Sequence, residues 1–425
     1  MSHYKPYPAY RPSGVEWIGD VPKHWDVHRF KTTIASCRNG IWGEDAAGDE
    51  NDIPCVRVAD FDRINLRVKL NDPTIRNVTM KERSSRLISR GNLLLEKSGG
   101  GENQPVGCVV QYEDDRPAVC SNFVARMEIA QGFDSSFLRY LHASAYSVRL
   151  SAGSINQTSG IQNLDQERYF NEKAGFPSLN EQRSIATSIE SETKRIDSLI
   201  TKKTRFIELL KEKRQALITH AVTKGLNPNV KMRDSGVEWI GEVPEHWQIA
   251  ILKRFVVFQR GHDLPSDARV EGIVPVVSSA GYSGTHNVSK AKSPGIVTGR
   301  YGSLGEFTFV QQDYWPLNTA LYSIDLYENE PRFIWYLLKN ISDLFLLYSA
   351  KAAVPGIDRN DIHEIYVAAP LPEEQKRISN YLDIQFDRIN TITVKTQQSI
   401  DLLKERRSAF ITAAVTGQID LREAP

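Results

Sequence analysis

Few residues in this chain have the type and spacing that catalysis demands, and each of them has a plainer explanation. His24 and His246 could act as acid and base near neutral pH. They sit in matching surroundings beside Trp25 and Trp247, which fits packing or an interface better than catalysis at both. Asp114-Asp115 is a carboxylate pair in a polar turn, where solvated turn residues are expected. Gly99-Gly100-Gly101 resembles a phosphate-cradling loop only loosely, and no helix follows it; a hairpin tip is the expectation. No G-x-x-x-x-G-K-[ST] loop occurs. Cys37, Cys55, Cys108 and Cys120 form no C-x-x-C pair and have no histidine at zinc spacing, so buried, reduced thiols are expected. No Ser-His-Asp or Cys-His set can be argued from spacing.

The informative feature lies around the histidines rather than in them. Ser13 to Trp25 reads SGVEWIGDVPKHW, and Ser235 to Trp247 reads SGVEWIGEVPEHW. A second matched pair follows. Glu181-Gln182-Arg183 opens a helical stretch ending in ITHAVT (218–223), and Glu374-Gln375-Lys376 opens another ending in ITAAVT (411–416). The order is phrase, variable region, helix, given twice. Repeats of this size decide the architecture.

Both helices carry a coiled-coil stripe. In the first it runs Ile185, Ile189, Ile196, Leu199, Phe206, Leu210 and Leu217; adding 193 gives Ile378, Leu382, Ile389, Ile392, Ser399, Leu403 and Phe410. Ser178 with Glu181 fits a capping box, and Pro372 with Glu373 and Glu374 suits a first turn. Gly225 and Gly417 mark the ends. A stripe of that length needs cover, and the simplest solution packs the two helices on each other.

The remaining sequence suits two globular domains of mixed, mostly antiparallel α+β structure. Short strand candidates alternate with glycine turns, and each region closes with a short amphipathic helix, Ser135 to Ser144 and Pro331 to Asn340. The expected division is 1–178 for the first domain, 179–222 for its helix, 223–234 for a linker, 235–371 for the second domain, 372–416 for its helix, and 417–425 for a tail. From Ser13 to Glu181 is 168 positions and from Ser235 to Glu374 is 139, so the first region is longer by 29. One scaffold with differing loops is the pattern of loops that carry specificity. Composition is that of an ordinary globular chain, 40% hydrophobic and 25% charged with a net charge of +1; that balance leaves only local patches as a nucleic-acid signal. The opening MSHYKPYPAYRPSG has no apolar core, and no run approaches a membrane span, so a cytoplasmic location is expected.

This frame resembles the specificity subunit of type I restriction-modification systems. The resemblance rests on the two SGVEWIG phrases and on the helices bounded by NEQRSIA (180–186) with ITHAVT and by EEQKRIS (373–379) with ITAAVT, and it spans nearly the whole chain. It implies two target recognition domains and two long conserved helices forming an antiparallel coiled coil, with a pseudo-two-fold internal repeat. Each domain would read half of a bipartite, asymmetric double-stranded DNA site, with the helices fixing the gap. It implies partners too: two modification (methyltransferase) subunits and restriction subunits with translocase and nuclease activity. S-adenosylmethionine, ATP and Mg are expected on those partners and no cofactor on this chain, which would not be an enzyme itself. A docking surface for a partner subunit is one reading of Trp17, Trp25, Trp239 and Trp247; packing is the other.

Base-edge readout needs Arg, Lys, Asn, Gln, Ser or Thr on groove-facing elements. In the first domain the candidates are Arg57, Lys97, Asn156, Gln157 and Thr158; in the second they are Arg260, His262, Arg300 and Tyr301, with Lys290 and Lys292 suited to phosphates. Two competing readings remain. One is a coiled-coil scaffold with two protein-binding domains. The other is a DNA methyltransferase in its own right, against which Asn227-Pro228-Asn229 lacks the second proline and the aromatic residue of a methyl-transfer motif.

Overall fold

The computed structural model describes residues 4–158, 160–300, 303, 305–349 and 358–422. The chain forms two compact units, and the division differs from a domain-then-helix order. The first unit takes residues 1–202 and 399–425, the second 203–398, so each unit holds the start of one long helix and the end of the other. Those helices span Leu179–Lys224 and Pro372–Val415.

In the first unit a sheet of six strands has the order Ile34–Asn39, Val124–Ile129, Leu93–Glu96, Val109–Gln111, Arg67–Val68, Phe61–Asp62. Every pairing is antiparallel except that of 109–111 with 67–68. Four further strands, Val119–Cys120, Asp52–Val56, Thr74–Asn77 and Glu44–Asp45, form a second sheet. The second unit repeats the central part as Val257–Arg260, Ala320–Asp325, Gly295–Gly299 and Phe307–Val310, all antiparallel. The extra length of the first region appears as strands and one helical turn between 61 and 83.

Each sheet packs on a short helix, Ser135–Ser147 or Pro331–Asn340, and each short helix is tied to a long one in the same way. Tyr140 donates to Glu190 (3.0 Å) in the first unit, and Tyr336 donates to Asp383 in the second. Ser144 meets the Thr412 hydroxyl (3.0 Å), as Asn340 meets that of Thr219 (2.6 Å). Arg139, 1% exposed, bridges Glu113 and Glu190. Burial opposes the charge on Glu190, but Arg67, the Tyr140 hydroxyl and Arg139 outweigh it and hold its pKa below the usual range.

The long helices pair within each unit, and the pairing is antiparallel. In the second unit Arg214 lies 4.5 Å over the Phe386 ring, while Gly225 abuts Glu374; one residue number rises as the other falls. In the first unit Arg406 reaches Glu192 (3.1 Å) and Arg407 reaches Asp197 (3.0 Å). Of the expected seam, Ile185, Ile189, Ile196, Leu210, Ile378, Leu382, Ile389 and Phe410 are buried, and Leu217 packs against the core. Leu403 is half-buried. Leu199, Phe206 and Ile392 depart from the expectation at 38%, 44% and 42% exposure. The covered positions are instead 193, 196, 200, 203, 207, 210, 214 and 217, with 386, 389, 393, 396, 400, 403, 407 and 410 in the second helix, an unbroken alternation of three and four. The correction has a physical reason. A seam between only two helices is narrow, so Thr193, Lys203, Arg214, Thr396 and Arg407 can occupy it by laying apolar stems inward and sending polar ends to the rim or to the backbone. Apolar side chains one position off the seam stay in solvent.

Ile196→Ala should therefore lower stability by about 2–4 kcal/mol, and Leu199→Ala by well under that, measured by denaturant or thermal unfolding of the full chain. A second expectation concerns pH. His142 is fully buried, with Tyr169 OH 2.8 Å from Nδ1 and the Phe30 ring beside it, and burial pushes its pKa down to about 4. As pH falls below about 6.5 the unfolded chain takes up a proton that the folded chain refuses. Stability contributed by neutral His142 is lost between pH 6.5 and 4, on the order of 2 kcal/mol; unfolding midpoints of His142→Gln should fall less steeply over that window than those of the native chain.

Candidate nucleic-acid interface

The repeated phrase and the helix starts are parts of one device, made once per unit. The indole N–H of Trp25 donates to Glu181 (3.1 Å), His24 Nε2 lies 3.0 Å from the same carboxylate, and the Tyr7 hydroxyl donates to it at 2.9 Å. In the second unit Trp247 donates to Glu374 (3.3 Å), with His246 Nε2 at 2.8 Å. Arg11 and Arg233 each donate to the carbonyl of the following tryptophan, Trp25 and Trp247. The neighbouring glutamines bind the connection into the short helix. Gln182 donates to Pro177 O and accepts from Asp134 N–H; Gln375 donates to Pro370 O and accepts from Glu330 N–H.

The helix ends close on the same tryptophans. Gly225 and Gly417 have φ of +75° and +74°, the left-handed backbone that favours glycine. A Cβ on Gly417 would meet Pro22 and Trp25, and one on Gly225 would touch Trp247. Trp25 and Trp247 are 0% and 1% exposed, so of their two readings, docking and packing, the rings fit packing: they are consumed inside their own units. Trp17 is half-buried and donates to Lys173 O, and Trp239 is at the surface.

On this frame Arg57, Lys97 and the 155–164 hairpin lie around one loop of the first unit, and Arg260, His262 and Arg300 around one loop of the second. In the first, the strand Leu93–Glu96 ends at Lys97, whose N–H donates to Phe123 O (2.9 Å). Ser121 N–H donates to Val56 O (2.9 Å), setting Arg57 beside the same loop. The Arg57 guanidinium pairs with Asp60 (3.3 Å). Lys97 O accepts from Leu164 N–H (2.8 Å), joining the hairpin Ile155–Thr158 and Ile161–Leu164 to the strand end; Asn156 and Gln157 are exposed on it, and Thr158 shares their strand.

In the second unit Arg300 N–H donates to Thr319 O (3.0 Å) and Arg260 Nε to Asn318 O (3.4 Å). His262 Nε2 lies 3.3 Å from Tyr322 OH, and its ring is edge-on to Trp315. The Lys290 ammonium sits 5.4 Å from the Trp315 ring. Lys292 forms an exposed pair with Asp313 (2.6 Å). Tyr301 lies outside the described residues. Sequence reasoning missed Asn122 and exposed Phe123 in the first loop, Asn318 in the second, and His286 against Trp315. The usable signal was the shared asparagine ahead of matched strands, Asn122 before Val124–Ile129 and Asn318 before Ala320–Asp325.

Among the described residues no group of three or more His, Cys, Asp or Glu side chains could hold a metal ion, and no helix is long and apolar enough to cross a membrane. The site is a set of cations, amides and aromatic rings on rigid strand ends.

A protein with two differing polar surfaces on one duplicated frame is a recognition module, and comparison with known proteins agrees. The family described as the type I restriction modification DNA specificity domain matches residues 244–402. A chain of Methanocaldococcus jannaschii assigned as the type I restriction enzyme MjaX specificity subunit is 21% identical, over 95% of this chain and 96% of its own. Two solved structures share the fold at 14% identity. One comes from a study of complex assembly and conformational transition of the type I restriction-modification system, with TM-score 0.73 over 93% of this chain and 98% of that one. The other, the HsdS subunit of Thermoanaerobacter tengcongensis, has TM-score 0.59 over 94% and 98%. Residues 244–402 thus match the type I restriction modification DNA specificity domain, and along nearly its whole length the chain is similar to type I specificity subunits.

The Glu181 carboxylate gives the sharpest test of the frame. Glu181→Ala strips the acceptor from a buried indole and a buried phenol, each costing about 1–3 kcal/mol. Glu181→Gln, which keeps one acceptor oxygen, should lose markedly less, as read by thermal unfolding; equal losses would refute the role.

Proposed function

We propose that this chain is a non-catalytic subunit that selects a two-part, asymmetric site on double-stranded DNA, one half-site per unit, with the paired helices setting the gap. The observation that carries the reading is the matched frame with unmatched rims. Glu181 and Glu374 hold the same phrase, while the rim of one unit carries Arg57, Asn156 and Gln157 and that of the other carries Ser278, His262 and Lys290. A surface that changes on a frame that does not is suited to reading different sequences in one manner.

The partners are modification (methyltransferase) subunits, two of them, and restriction subunits; S-adenosylmethionine, ATP and Mg belong to those partners. Two like grooves support the pair of modification subunits. One is lined by Glu405, Ala409, Thr412 and Thr416, the other by Glu212, Ala216, Thr219 and Thr223, the same helix positions in each repeat. The chain purified with its methyltransferase subunits should enrich a two-part motif from random duplexes. A single continuous motif, or none, would overturn the proposal, and methyl transfer by the chain alone would point to an enzyme. Salt-insensitive partner binding without DNA affinity would favour a protein scaffold instead.

A further inference from the structure

The loops Ser121–Phe123 and Leu317–Thr319 are held by the same backbone bonds, although their sequences share only the central asparagine. Gly40 N–H donates to Val124 O and Gly261 N–H to Ala320 O (2.9 and 3.0 Å). Ile41 N–H donates to Cys120 O and His262 N–H to Pro316 O (2.7 and 2.8 Å). Ser121 and Leu317 donate to Val56 and Val277, and Val124 and Ala320 close the loops by donating back to Ser121 and Leu317. Lys97 and Arg300 donate to Phe123 and Thr319. The approach is so close that a Cβ on Gly40 would fall 2.0 Å from Cys120 O, and one on Gly261 2.1 Å from Leu317 O.

Two side-chain types survive at matched places on this loop: a cation, Lys97 or Arg300, and an amide, Asn122 or Asn318. Beside them the side chains differ: Ser121 corresponds to Leu317, Phe123 to Thr319, and Arg57 to Ser278. Asn122 is exposed. Asn318 is half-buried and gives one amide hydrogen to Asp263, with the exposed Arg260 bound at its carbonyl.

We propose that Lys97 with Asn122, and Arg300 with Asn318, are equivalent phosphate-binding clamps that seat each unit on the DNA backbone without reading sequence. The inference rests on the two-half-site reading above. Residues that tell two different half-sites apart must differ between the units; residues that match must contact what the half-sites share. Every half-site presents phosphate oxygens, and lysine, arginine and asparagine donors on a fixed loop bind them. Lys97 and Arg300, sequence candidates for base readout, are thereby assigned to positioning. Discrimination falls to the unmatched neighbours, Phe123, Arg57 and Gln157 among them.

The test uses the full chain assembled with its methyltransferase subunits, carrying Lys97→Gln, Asn122→Ala, Arg300→Gln or Asn318→Ala. Binding is measured to selected and to random duplexes across a salt series, and each variant is put through motif enrichment. Expected are several-fold losses in equal proportion for both duplexes, a salt slope shallower by about one for each lost cation, and an unchanged motif. Lys97→Arg and Arg300→Lys, which keep the charge, should retain most of the binding and the full salt slope. A relaxed or altered half-site with intact random-duplex affinity would make these residues base readers and overturn the clamps. So would charge-keeping variants as weak as the neutral ones, which would mark a structural role, or no effect at all. If the native complex enriches no two-part motif, the parent reading falls instead, and the salt slopes on random duplex still judge the phosphate contacts.

Discussion

Everything in this fold turns on a carboxylate at the start of a long helix. Glu181 takes the Trp25 indole hydrogen, the His24 ring and the Tyr7 hydroxyl; Glu374 takes the Trp247 hydrogen and the His246 ring. An indole buried without an acceptor would cost about 1–3 kcal/mol, so the phrase can dock only where that carboxylate is. The carboxylate in turn suits a helix N-terminus, where unpaired N–H groups favour negative charge. The docked ring then receives the glycine end of the other helix. One charged group thus fixes helix start, partner helix end and strand entry together, and the arrangement is made twice from two copies of one sequence.

Because the frame is over-determined in this way, the rim is free to vary. The short helices show how little the frame demands of its neighbours. Tyr140 and Tyr336 bind Glu190 and Asp383 in both units, yet Arg139, buried against Glu113 and Glu190, has Trp335 at its matched place, stacked with Arg332 and Lys339. A buried ion network and an aromatic–cation stack fill the same position.

The architecture was largely legible in the chain, because repetition, caps and a long apolar stripe are strong local signals. Both long helices end within two residues of the expected bounds. The seam was legible only in part. Ile196 and Leu210 were visible as apolar steps, but Lys203, Arg214 and Thr396 are not apolar by type, and their seam positions follow only from the geometry of a two-helix contact. Leu199 and Phe206 are the complementary error: apolar type beside the seam, only partly covered. The recognition surface was legible by residue type but not by address. Lys97 and Arg57 stand 40 residues apart, and two separate strand pairings, 52–56 with 119–120 and 93–96 with 124–129, bring them to the one loop Ser121–Phe123. Trp25 stayed open between two readings because a tryptophan in a turn-rich phrase looks the same whether its ring serves a partner or its own core; its acceptor, Glu181, lies 156 residues away.

The helix ends explain the division of the chain. Had each helix packed only on its own globular region, the cut would fall between the two repeats. It falls instead across the middle of both helices, because each unit completes its core with the end of the other repeat's helix: Phe410, Ile411 and Ala414 join the first core, Leu210, Ile218 and Val222 the second. Neither repeat owns a closed core, so neither sequence copy can hold its anchor carboxylate, its tryptophan and its glycine cap without the other. The exchange of helix ends is what makes two tandem copies one protein.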